Sequence, residues 1–388
     1  MIIDPHPTPG SGVLPPPERK AQSESSSSAY QYVDVPTKYL GDTPESGVFA
    51  VLPIPTGDRS KPHARAAWLT TRATYAHYLP FLHSLTPLPE IERKYTIRPS
   101  PIGGLGVFAT QDIARYETIL VERPFFFYPR DMDFEVPIAE WLTMEDVVRR
   151  AARSKTWGRE IMEERAEATM KKVFEYCLTK DEQTQYLSHA NAHPANGDVC
   201  GRIRTNAYGV PKIQGQTAKD MECGYSGMFR DGSRFNHSCR PDAFLIWDST
   251  RWALHFYALR PIKAGSEITV KYCEPLATLA ERRYSCDRYL FQCTCTICRN
   301  STPAGDKLRQ NLPAMVNQWK QDPTLPNKMP LLQALKKRME EEGLDTPNTG
   351  YYLLLKLIYS LWVFEERPDM AAEIQAIYPP NIEGICRE

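Results

Sequence analysis

No run of residues in this chain approaches the ~20 consecutive apolar positions that a membrane-spanning helix needs. Neither sign of charge is in excess, since 47 Lys and Arg stand against 47 Asp and Glu and the formal net charge is zero. Broad electrostatic attachment to nucleic acid or to an anionic lipid surface is therefore not expected. The opening residues, MIIDPHPTPGSGVLPPP, lack both the basic start and the apolar stretch of a secretory leader. The expectation is an intracellular protein, nuclear or cytoplasmic and not secreted, in which the sequons at Asn236 and Asn300 are chance matches. The basic run from Leu335 to Met339 is too short to argue for nuclear import, and no internal repeat is visible. In this setting the 10 cysteines read as thiols or metal ligands rather than as a disulfide framework.

What the chain does contain is unevenly spread. Its 388 residues suit one large domain with extensions, or two domains, and 42% apolar content supports a real core. Residues 1–60 are rich in Pro and Ser, cannot bury enough apolar surface to offset their ordering entropy, and read as disordered. Residues 61–91 read as an extension with a short helix from Ala66 to Leu85, which gathers Trp68, Tyr75, Tyr78 and Leu82 on one side. From Lys94 onward short apolar runs alternate with Gly and Pro, the pattern of short strands and tight turns. Between about residues 138 and 190 the composition turns to Ala, Glu, Arg and Met with few breakers, which predicts helices. Strand signals return in AFLIWDSTRWALHFYALRPI, a hairpin turning at Asp248 to Thr250, and in GSEITVKY. Beyond residue 304, apolar-patterned segments separated by Pro and Gly predict a helical C-terminal region.

Two short segments carry chemistry. FQCTCTICRN places Cys293, Cys295 and Cys298 as C-x-C-x-x-C, a spacing that lets several thiolates converge on one ion, and all-sulfur coordination favours zinc. A structural zinc is four-coordinate, so one ligand is missing. Cys286 is nearest in sequence, but Cys200, Cys223, Cys239 and Cys273 could arrive through the fold. The second segment, SRFNHSCRPDA, admits a catalytic Cys–His pair, a metal site or a plain polar loop. A nucleophilic pair of Cys239 and His237 is disfavoured, because the partners of such pairs come from distant segments and no orienting Asn or Asp stands out. His189 and His193 stand four apart, yet Pro194 and the Gly/Asn-rich surroundings favour a loop over a metal-binding helix.

Taken in order, GGLGVFATQDI, RFNHSC, GSEITVKYCEPL and YLFQCTCTIC resemble the SET-domain lysine methyltransferases, over residues 92–300. The arrangement is most similar to the branch that includes the SET-and-MYND proteins and their fungal relatives. The MYND zinc module is absent, because the insertion between Glu122 and Cys200 contains only Cys177. The resemblance implies an α+β SET fold of small curved β-sheets with a knot-like crossing. It places the SET domain at 92–285 with a helical insertion at 138–190, a post-SET zinc motif at 286–300, and a helical region at 301–388. It assigns one structural zinc to Cys239, Cys293, Cys295 and Cys298, leaving Cys286 out.

The resemblance further implies S-adenosylmethionine held by Gly104, Leu105, Gly106, Asn206, Asn236, His237 and Phe291, with Tyr272 as the catalytic tyrosine. Phe229 and Tyr257 become candidates for a substrate channel. The implied partner is a protein presenting a lysine, with no nucleic acid, no membrane and a monomeric state. Two departures put activity in question: Asp242 stands where the family has Asn, and Ser266 where Glu is common, with Glu267 retained. A silent SET-fold module that binds cofactor or peptide is the rival reading. A methyltransferase acting on a small molecule is a third.

Overall fold

A computed structural model describes residues 85–129, 178–210, 225–319 and 328–378, scattered residues between 163 and 175, and three strands nearer the N-terminus. The first strands are β1 (Gln31–Asp34), β2 (Gly47–Leu52), β3 (Ala66–Thr71), β4 (Tyr95–Pro99), β5 (Leu105–Ala109), β6 (Thr118–Glu122) and β7 (Phe126–Pro129). They are followed by β8 (Tyr208–Val210), β9 (Tyr225–Met228), β10 (Asn236–His237), β11 (Ala243–Asp248), β12 (Ala253–Ala258) and β13 (Thr269–Val270). Helices are α1 (Lys180–Leu187), α2 (Cys200–Asn206), α3 (Leu279–Asp287), α4 (Thr296–Arg299), α5 (Pro303–Trp319), α6 (Met329–Glu341), α7 (Tyr351–Phe364) and α8 (Pro368–Ile377). The described residues thus combine small sheets with helices, the α+β class expected from the sequence. A three-stranded sheet, β11-β12-β6, contains the expected hairpin. Asp248 turns it by accepting from the Thr250 amide at 2.8 Å and its hydroxyl at 2.7 Å.

The chain divides into two compact units, the first comprising Met1–Arg93, Leu120–Arg234 and Trp247–His255. Its six-stranded sheet runs β1-β2-β3-β7-β9-β8. Two expectations change here. Ala66–Thr71 is a strand and not part of a helix: β3 pairs along its length with β2 and, at Ala67 and Trp68, with β7. Partners on both sides satisfy its backbone, and Trp and Thr suit a pleated surface, so pairing overrides the helical spacing. Tyr75, Tyr78 and Leu82 lie outside the described residues. The segment 1–60, read as disordered, contains β1 and β2, because average composition hides two short strand-forming runs, QYVD and GVFAVL. In the insertion, the described residues between 163 and 175 are helical and α1 follows them. Phe125, Phe174 and Tyr186 pack edge to face in this unit's core, with ring centroids 4.9–5.5 Å apart.

The second unit comprises Lys94–Ile119, Phe235–Ile246 and Phe256–Glu388. Here β4 and β5 form an antiparallel hairpin from Tyr95↔Ala109 to Pro99↔Leu105. The two-residue strands β10 and β13 lie parallel, pairing Asn236 with Thr269 and His237 with Val270. Parallel neighbours so far apart in sequence bring the NHSC segment beside the strand that leads into Tyr272. α7 buries Tyr351, Leu354, Leu355, Ile358 and Trp362, the spacing of one helix face. That face joins Leu312 and Trp319 of α5, Met339 of α6 and Ile374 of α8, together with Phe244 and Leu259. The C-terminal helices therefore share a core with the residues around β11 and β12.

Candidate active site and metal centre

The loop between β4 and β5 is the glycine turn. Gly103 and Gly104 have φ of +146° and +58°, conformations that side chains resist, and a Cβ on either would meet nothing within 4 Å. Gly106 is glycine for the opposite reason. A Cβ there would stand 2.2 Å from Oε1 of Glu267 and 2.9 Å from Nδ2 of Asn236. Glu267 organises the loop: both its oxygens accept from the Ser100 hydroxyl at 2.8 Å, and Oε1 accepts from Asn236 at 2.7 Å. The Asn236 amide also reaches the Leu105 carbonyl at 3.2 Å. Asn236 thus holds the turn in place, while the Leu105 side chain stays 40% exposed.

His237 is 2% exposed and joins two sites. Its Nδ1 accepts from the backbone N–H of Tyr272 at 2.9 Å. An accepting Nδ1 puts the ring proton on Nε2, which faces Sγ of Cys239 at 3.4 Å and of Cys273 at 3.7 Å. The Tyr272 hydroxyl donates to the Phe235 carbonyl at 2.6 Å. Burial, followed by Tyr289 and Glu267, raises its phenol above the ordinary value. Around Tyr272 stand Tyr289 at 5.1 Å between ring centroids, His237 at 5.3 Å and Phe291 at 6.3 Å. Tyr289 was missed in the sequence, where it reads as one more aromatic beside the cysteines. Burial pushes its phenol up to about 12.

The thiols of Cys239, Cys293, Cys295 and Cys298 all lie within 4.8 Å of one another. Cys239 comes from the end of β10, Cys298 from α4, and the other two from the loop that leads into α4. Four sulfurs this close can hold one metal ion with tetrahedral geometry. His237, Cys239 and Cys273 form a second close group. Since Nδ1 of His237 accepts a hydrogen bond, Nε2 carries the proton and has no lone pair for an ion. The four-cysteine group is the metal candidate. Cys286 is fully buried in α3 and outside both groups.

The remaining sequence candidates make the following contacts. Asn206, in the first unit, spends its amide on the carbonyls of Ala190 at 2.7 Å and Arg202 at 2.8 Å. Phe229, also there, is fully buried edge to face with Tyr208. Tyr257, in the second unit, stacks on Phe244 with centroids 5.3 Å apart. Asp242 accepts from the Thr269 amide at 3.1 Å and hydroxyl at 2.7 Å, and burial raises its carboxyl above the usual value. Ser266 is exposed. His189 is buried in the first unit with its ring nitrogens against the carbonyls of Gln185, Tyr186 and Arg230, and burial pushes it down to about 4.

Residues 104–273 match the family described as SET domain. Over 122 residues the chain is 31% identical to Histone-lysine N-methyltransferase set5 of Schizosaccharomyces pombe, covering 31% of this chain and 35% of that protein. Over 83 residues it is 35% identical to Histone-lysine N-methyltransferase SMYD3 of Mus musculus, covering 21% of this chain and 19% of that one. Protein-lysine N-trimethyltransferase SMYD5 of Mus musculus is 34% identical over 90 residues, 22% of each chain. The matched part spans about a third or less of the length of these relatives. Among the described residues no helix is long and apolar enough to cross a membrane.

Proposed function

We infer that this chain, which carries a SET domain over residues 104–273, transfers methyl groups from S-adenosylmethionine to lysine side chains of a protein. The carrying observation is a hydrogen-bonded path within one unit, from Ser100 through Glu267 to Asn236 and from adjacent His237 to Tyr272. It couples a glycine turn with open space beside its backbone to an aromatic cluster around the half-buried Tyr272. The names of the matching relatives support a protein lysine as acceptor.

When bound, S-adenosylmethionine supplies a sulfonium methyl group for displacement. The donor set suits it: Gly103 and Gly104 leave room for close approach, and the half-buried Phe291 offers a ring face to a flat base. The chain's own task is the amine. Making a lysine with a pKa near 10.4 neutral at pH 7 costs about 4.6 kcal/mol. Walls of Tyr272, Tyr289, Phe291 and His237 exclude water, which lowers that cost by penalising the ammonium. Both phenols stay protonated, so they act as dipoles. Because the Tyr272 proton is committed to the Phe235 carbonyl, its oxygen lone pairs remain for an amine N–H or for weak C–H···O contacts with the methyl group.

Zinc is the metal that an all-sulfur tetrahedral set favours. With every position filled by Cys239, Cys293, Cys295 and Cys298, its role is structural. It would tie the end of β10 to the segment that presents Tyr289 and Phe291, so that cofactor and metal sites form together.

The test is transfer of labelled methyl groups onto proteins of a cell extract, with wild type beside Tyr272→Phe. Wild type should label protein, and the variant should lose roughly a hundredfold or more in rate, the scale for removing a positioned polar group. Cofactor binding with no labelled product in any fraction would overturn the reading.

A further inference from the structure

We propose that Arg282, in α3, is the counter-charge of the thiolate cluster, directing its free N–H groups toward a metal held by Cys239, Cys293, Cys295 and Cys298. The inference rests on the metal reading above and extends it to a residue outside the four-cysteine group.

Four thiolates around one divalent ion carry a net charge of −2, and a partly buried anion of that size needs compensation. Arg282 is 1% exposed, among the most deeply buried charges of its unit. Only part of its guanidinium is engaged by oxygen. Nη1 donates to the Ala277 carbonyl at 2.6 Å and lies 3.9 Å from Asp306, too far for a hydrogen bond. Asp306 Oδ1 instead accepts from the Leu279 amide at 3.0 Å. Nε and Nη2 are buried without a hydrogen-bond partner. A buried cation with two unspent donor groups is costly unless an anion lies nearby. The candidates are the thiols: Leu279, three residues before Arg282 on the same face of α3, packs against the cluster of Cys239, Cys273 and Cys298.

Local structure aims the side chain. A capping box starts α3, with the Thr278 hydroxyl accepting from the Glu281 amide and the Glu281 carboxylate accepting from the Thr278 amide at 2.7 Å. Buried Cys286 follows four residues after Arg282, one turn along the same face. Nε2–H of His237 faces Cys239 from a different element, so a cation and an N–H donor reach the sulfurs from separate parts of the chain. Outer partners of this kind change metal affinity by roughly 10- to 100-fold.

The experiment measures zinc affinity by chelator competition, and zinc release by a thiol-blocking reagent, on the full chain. Wild type, Arg282→Met, Arg282→Gln, Arg282→Lys and Asp306→Asn are compared. Cooperative thermal melting in excess zinc checks that each variant folds, and the Gln variant stands in if the Met variant does not. The Met and Gln variants should bind zinc about 10- to 100-fold more weakly and release it faster. The Lys variant, which keeps the charge, should lose less, and Asp306→Asn should match wild type. Wild-type affinity in folded Arg282→Gln overturns the proposal. So does a loss in Asp306→Asn as large as in Arg282→Gln, because Arg282 would then serve helix pairing. A wild-type chain that binds no zinc removes the metal reading itself, a result distinct from either.

Discussion

A single missing methyl group decides whether the glycine turn can close on Glu267. Gly106→Ala would force its Cβ against a carboxylate and an amide that are themselves hydrogen-bonded, so neither can yield cheaply. Overpacking of this kind costs about 1–3 kcal/mol, and the displaced Asn236 would release the Leu105 carbonyl. Thermal melting should record the loss, and calorimetry should record weaker S-adenosylmethionine binding. Asp242 poses the reverse question, because its carboxylate departs from the family pattern yet its Oδ2 accepts twice from Thr269. Burial raises its pKa above 3.8 although Arg260 and Arg240 oppose the shift. Ionisation therefore costs more in the fold than in the unfolded chain, and the stability tied to the neutral form is lost as pH rises through the folded value. Asp242→Asn keeps an oxygen for Thr269 without that cost. Its melting temperature should equal or fall below wild type at acid pH and exceed it at neutral pH. The same difference at every pH would contradict the assignment.

At the scale of elements, β10 and the segment from α3 to α4 depend on one another. The end of β10 contributes Cys239, and the later segment contributes Cys293, Cys295 and Cys298. Removing the ion should free that segment, because the four sulfurs would lose the one ion they share. Chelation, or Cys239→Ser, should lower the melting temperature and abolish cofactor binding. Cys286→Ser should keep one equivalent of zinc despite an equally buried cysteine. Metal analysis separates the two variants, and loss of zinc in Cys286→Ser alone would reassign the fourth ligand.

Across the whole molecule, one packed unit gathers three separate segments of the chain. The glycine turn, Tyr272, the cysteine cluster and the helices α5 to α8 belong to one unit. Phe244 and Leu259 share a core with Leu312, Met339, Leu354 and Leu355. The C-terminal helices therefore share a core with the unit that contains the site. Leu355→Ala should cost about 2–5 kcal/mol, typical of a fully buried leucine that leaves a cavity. A chain ending at Arg299 should be insoluble, since it exposes the strand-side half of that core. A soluble truncated chain with one bound zinc would show that the two parts fold independently.

Much of the site was legible without coordinates because its chemistry is local. Three cysteines within six residues announce an ion, the glycines announce a turn, and alternating apolar residues around Asp248 announce a hairpin. The fourth candidate ligand was not local. Spacing left several cysteines open, the family resemblance pointed to Cys239, and the fold gathered that thiol by laying β10 beside β13. The strand at Ala66–Thr71 was likewise hidden, since a strand exists through partners distant in sequence while a helix bonds within itself. The tautomer of His237, the grip of Glu267 on the turn and the unspent donors of Arg282 were set only by tertiary structure. Each depends on which polar atoms meet where water is excluded, and sequence order does not encode that directly.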